Sequence, residues 1–111
     1  MDGSELNYQD RRALLSEKVI ELGVNEPSLR AGVMARGAGG AAGVAEPYNA
    51  LSRQIAEASY QVTDDQVKAV RMAAGSDKAA FEIVFAASVG AGLARWDAAF
   101  RAIEGLDDAS A

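Results

Sequence analysis

At 111 residues, 50% hydrophobic and 24% charged, the chain holds material for one modest globular core and is too apolar for a disordered segment. A net charge of −5 and a pI near 4.6 argue against nucleic acid and anionic membrane as partners, since both demand clustered Lys and Arg. There is no cysteine and no histidine, so disulfides, thiolate chemistry and the usual neutral-pH base are excluded, and no metal or cofactor is expected.

The first ten residues, MDGSELNYQD, are acidic and polar with no apolar run, so no secretory signal is visible and a cytoplasmic location is expected. Residues 1–6 read as a flexible tail, 7–105 as a single helical domain and 106–111 as a second tail. A first helix starts from Ser4 or Asn7 and runs to about Leu22, with Gly23 as its stop. Leu15, Val19 and Leu22 recur at helical spacing, while Glu17, Lys18 and Glu21 take the other side. The adjacent Arg11 and Arg12 read as a solvated face.

A second helix starts near Asn25, tolerates Pro27 in its first turn and carries Leu29, Val33 and Met34 to a stop by Gly37. The Gly-rich loop 37–44 follows. Gly37, Gly39 and Ala42 satisfy a G-x-G-x-x-[GA] spacing, but no strand precedes them, so a linker is the reading over a phosphate cradle. A third helix, from about Glu46 to Gln61, has Pro47 in its first turn and Tyr48, Leu51 and Ile55 on one stripe. Thr63 with Gln66 forms a T-x-x-Q capping box, and Asp64 and Asp65 suit the positive end of a helix dipole better than a metal site. This fourth helix is expected to bury Val67 and Val70 with Met72 or Ala74, and to end at Gly75. Nothing alternates at period two, so no sheet is expected.

The last helix opens at Ser76 and Asp77 and is expected to close at Gly105. From Ala79 to Ala94 it is apolar on nearly every side, and such a helix must be covered on every side. Too little chain remains to cover it, so a second subunit is expected to help. The apolar stretch is about 16 residues with Glu82 inside it, short of the roughly 20 that span a bilayer, so a core helix is the reading. Gly90 and Gly92 each cost about 1 kcal/mol relative to alanine, which points to close approach of another helix or to a bend. Beyond Ala94, Leu93, Trp96, Phe100 and Ile103 make one stripe.

From Pro47 to Ile103 the order of elements resembles the carboxymuconolactone decarboxylase-like and alkylhydroperoxidase D-like (AhpD-like) superfamily. The likeness lies in a helix, a capped helix ending in the small-residue turn at Ser76-Asp77, then F-E-I-V and an Ala/Gly-rich long helix. It covers about half of the chain, and its motifs are compositional. The resemblance implies an all-α domain of about five helices that assembles as trimers or hexamers, with any active site near a helix–helix interface. The peroxidase branch uses C-x-x-C with a histidine four residues later and a glutamate upstream. Tyr60 and Thr63 fall where those cysteines would be and Val67 where the histidine would be, so peroxide reduction is excluded by composition.

Glu82 is the first carboxylate to consider, because it stands on an apolar helix half and must be paired or neutral if buried. A general acid or base is one reading; a structural ion pair with Arg53, Lys68 or Arg71, or exposure at an oligomer rim, is the other. Tyr60 is the companion catalytic candidate, against the reading of a core ring with a surface hydroxyl. Thr63, Arg71 and Trp96 are the candidate pocket residues, with Trp96 and Phe100 read equally as packing. Three functions follow: a homo-oligomer without thiol chemistry that assembles or binds a small molecule; a cofactorless enzyme acting on a lactone or keto acid through Glu82 and Tyr60; and a partner-binding module using the Leu93–Ile103 stripe.

Overall fold

A computed structural model describes residues 8–40 and 43–110, with side chains for 9–40 and 43–105. The proposed start at Ser4 or Asn7, the proposed tail 1–6 and part of the Gly-rich loop lie outside these residues. The fold is all-α: α1 (Tyr8–Glu21), α2 (Pro27–Gly37), α3 (Tyr48–Ala58), a 3₁₀ turn (Ser59–Gln61), α4 (Asp64–Ala74) and the long α5 (Asp77–Ser110). No strand occurs among the described residues.

Several helix boundaries have a local cause. Pro27 begins α2, where a missing N–H is harmless. Thr63 Oγ1 accepts the Gln66 N–H at 3.2 Å and Gln66 Oε1 accepts the Thr63 N–H at 3.0 Å, a reciprocal cap for α4 of about 1 kcal/mol. Gly75 ends α4 at φ +94°, a left-handed position that favours glycine. Ser76 Oγ then accepts the Ala79 N–H and starts α5. The long helix does not stop at Gly105 but continues to Ser110. A single interior glycine costs only about 1 kcal/mol, and no proline follows it.

The core is thin and is built on α5, against which all four other helices pack. Val33, Leu51, Val70, Ile83, Ala86 and Ala87 are fully or almost fully buried. In α4 only Val70 is buried: Val67 is exposed, contrary to expectation, and of the alternatives Met72 and Ala74 it is Ala74 that is half-buried while Met72 stands out in solvent. With Val70 fixed inward, the 100° step of the helix carries Met72 to the far side.

The closest helix crossing is α2 on α5. A Cβ on Gly90 would lie 2.9 Å from the Met34 carbonyl carbon, and one on Gly37 would lie 2.8 Å from Ala87 Cα. The two glycines thus sit on each other's helix backbone, which accounts for Gly90 without a bend. Gly92 has no such cause, since nothing lies within 4 Å of its Cβ position.

The covering of α5 is incomplete in a specific way. Ala79, Ala80, Ile83, Ala86, Ala87 and Ala91 are buried, but Phe81, Phe85, Ser88 and Gly92 are exposed. One side of the apolar helix is therefore open in the single chain. By length and composition Asp77–Gly105 is also long enough to cross a membrane, with 39% of its most apolar window buried.

Candidate functional site

Glu82 sits where the α1–α2 turn folds over α5, and its carboxylate organises that turn. It accepts the Val24 N–H at 2.8 Å, the Asn25 N–H at 3.1 Å and the Asn25 side-chain amide at 3.0 Å. Asn25 Nδ2 also donates to the Ala79 carbonyl at 2.9 Å, so the turn is held at two points one helical turn apart. The charge partner is Arg30, with Nη1 3.5 Å from Glu82 Oε1, and not Arg53, Lys68 or Arg71. Arg71 instead pairs with Asp77 at the exposed junction of α4 and α5.

Arg30 is 1% exposed, the one buried cation among the described residues. Its Nε donates to the Ile20 carbonyl at 2.6 Å and its Nη1 donates to the Asn25 carbonyl. One guanidinium therefore closes the end of α1, the turn and Glu82 into a single network. Gly23 is required here. Its φ is +144°, and a Cβ would lie 2.6 Å from Glu82 Cδ and 2.8 Å from Arg30 Nη1. Burial pushes the Glu82 carboxyl up, but the N–H donors of Val24 and Asn25, the Asn25 amide and the Arg30 charge together hold it below its ordinary value of 4.5. An anion this fully engaged is a structural latch rather than a proton carrier at neutral pH.

Beside the latch an apolar cavity of about 260 Å³ opens between α1 and α5, walled by Leu15, Val19, Leu22, Phe81 and Phe85, with Glu82 and Arg30 at its edge. Phe81 and Phe85 stack with ring centroids 6.0 Å apart. A second cleft along the same helix pair is lined by Arg11, Arg12, Leu15, Leu93 and Trp96. Arg12 is not merely solvated: it grips Asp97 through Nε at 2.9 Å and Nη2 at 2.6 Å, a two-point contact that fixes α1 to the second half of α5.

The candidate site residues are dispersed. Glu82 borders the first cavity and Trp96 lines the second cleft. Tyr60 stands 85% exposed on the 3₁₀ turn and is not among the residues lining either. Thr63 is occupied as the α4 cap, and Arg71 as the partner of Asp77. Among the described residues no group of three or more carboxylates gathers at metal-binding distance.

Arg30 was not singled out by sequence, and Gly23 was read only as the stop of the first helix. A signal existed, since Arg30 stands on the same helix face as Val33, Met34 and Gly37, all of them buried. No family model, no curated protein and no solved structure matches this chain. The fold and the site therefore define its class only as an all-α domain with a long C-terminal helix.

Proposed function

We propose that this chain is a self-associating helical module of AhpD-like or carboxymuconolactone decarboxylase-like type, working by assembly and without thiol peroxidase chemistry. The observation that carries this reading is the set of exposed large apolar side chains on α1, the turn after it and α5: Leu14, Leu15, Leu22, Phe81, Phe85, Trp96 and Ile103. A patch of this extent on a small domain marks an interaction surface. An intracellular setting accords with the absence of cysteine.

The cavity beside Phe81 and Phe85 favours a second role, the holding of a small apolar molecule. Its two phenylalanines belong to the exposed surface as well, so association would roof the ligand. The acid–base reading of Glu82 with Tyr60 gains nothing from the geometry. The carboxylate oxygens are already engaged by four donor groups, counting Arg30, and Tyr60 lies outside the cavity.

Size-exclusion chromatography with light scattering tests the proposal. The expected mass is a multiple of the 11.5 kDa chain, falling toward a single chain in Phe81→Ser/Phe85→Ser with helical content retained. A wild-type protein that stays at one chain mass at every attainable concentration overturns it.

A further inference from the structure

The exposed face of α5 has a symmetry that suits a particular partner. Phe81, Phe85, Ser88, Gly92, Trp96, Ala99 and Ile103 are all exposed, and their spacing of four, three and four residues, taken twice, keeps them on one stripe along the helix, within about 40° of Gly92 on either side. That line extends about 33 Å at 1.5 Å per residue. Gly92 is its midpoint. Phe81 and Ile103 lie equally far from it, as do Phe85 and Ala99, and Ser88 and Trp96.

We propose that two copies of this chain pair through this face, α5 antiparallel to α5, about a two-fold axis that passes Gly92. This rests on the reading of the chain as a self-associating module and names its interface. Antiparallel pairing sets Phe85 against the small Ala99 of the second copy and Ser88 against its Trp96, so the two central rings meet small residues, while Phe81 packs on Ile103 at each end. Gly92 then meets Gly92, and its missing side chain gains the close-approach role that nothing within its own chain supplies. Parallel pairing would set Phe85 on Phe85 and Trp96 on Trp96, holding the helices apart around an empty centre at Ser88 and Gly92.

The area is adequate. Phe81, Phe85, Trp96 and Ile103 are 66%, 46%, 54% and 56% exposed. With exposed Leu15 from α1 and Leu22 from the turn after it beside them, they present about 700 Å² per protomer, near the ~800 Å² per side of a standard interface. None of the seven residues is charged, and exposed Arg95 flanks them at the edge of the face. The two-fold keeps both copies of α1 on the same side, so their exposed leucines extend the contact. Such a contact fits a dimer, or a hexamer built from dimers, and does not occur in a bare cyclic trimer.

The absence of native cysteine makes the test direct. Gly92→Cys adds a side chain into open space in the single chain, so the fold tolerates it. Under mild oxidation Gly92→Cys should form disulfide-linked dimers at least about tenfold faster than Ser88→Cys, whose two copies sit about 12 Å apart along the antiparallel axes. Nitroxide labels on Glu104→Cys, which lies off the apolar line, should report a backbone separation of about 36 Å, against about 10 Å for a parallel pair. Equal linking at 88 and 92 with a short Glu104 separation overturns the antiparallel arrangement. So does an oligomeric protein that links at neither position, while the assembly reading itself survives. A wild-type protein of one chain mass, whether free or floating with phosphatidylcholine vesicles, overturns both.

Discussion

Gly90→Ala should destabilise the fold by about 3 kcal/mol, even though alanine gains about 1 kcal/mol over glycine in a helix. The new methyl would be driven into the Met34 carbonyl and would stand 3.2 Å from the Ala38 N–H. Both obstacles are backbone, so no rotamer change relieves them. Either α2 lifts away from α5 or the helix unwinds locally, and both expose Val33 and Ile83, two of the deepest residues of the core. Chemical denaturation reads the loss. Gly92→Ala is the control, since it meets nothing in its own chain and should raise stability slightly in dilute protein. A Gly90→Ala protein as stable as wild type would mean that α2 and α5 do not cross where they are seen to.

Glu82→Gln should cost a similar amount, about 3 kcal/mol at neutral pH. The loss has two parts. Arg30, only 1% exposed, would keep its charge without a counter-ion. In either orientation the glutamine amide nitrogen would also turn a donor toward the Val24 N–H, where only an acceptor fits. The pH dependence follows from the sign of the shift. The Glu82 carboxyl is held below its ordinary value of 4.5, so the stability it contributes is complete above that value and is lost as the pH falls through it toward the folded-state value. Unfolding free energies of wild type and Glu82→Gln should therefore converge on acidification below about pH 4.5 and separate fully by neutrality. A constant gap across that range would show that the variant acts through shape alone.

Local signals in this chain were readable, and distant ones were not. The Thr63–Gln66 cap, the Gly75 stop and the Ser76 start rest on contacts within three or four residues, so their residue types announce them. Gly90 and Gly92 left close approach and a bend both open; the crossing is found at Gly90 alone, against the Met34 and Ala38 backbone that spacing could not name. Glu82 stood out as a carboxylate in apolar company. Its partners did not, because Val24 and Asn25 act mainly through backbone N–H groups that no residue type reveals, 58 and 57 positions away. Arg30 was hidden by the habit of reading arginine as surface, whereas its stem follows the buried face of α2. The expectation that the 79–94 stretch exceeds its own chain's capacity to cover it is met on one face only, through Phe81, Phe85, Ser88 and Gly92. The small side chains opposite let α2 and α3 come close enough to bury the rest.

Trp96 is the only tryptophan and lies 54% exposed on the face assigned to self-association, so its emission reports the assembly directly. On serial dilution of the full chain its emission maximum should move to longer wavelength as copies separate and the indole meets water. Phe81→Ser/Phe85→Ser should show the long-wavelength emission at every concentration. Emission that stays fixed across the dilution series and coincides with that of the double variant would contradict the account.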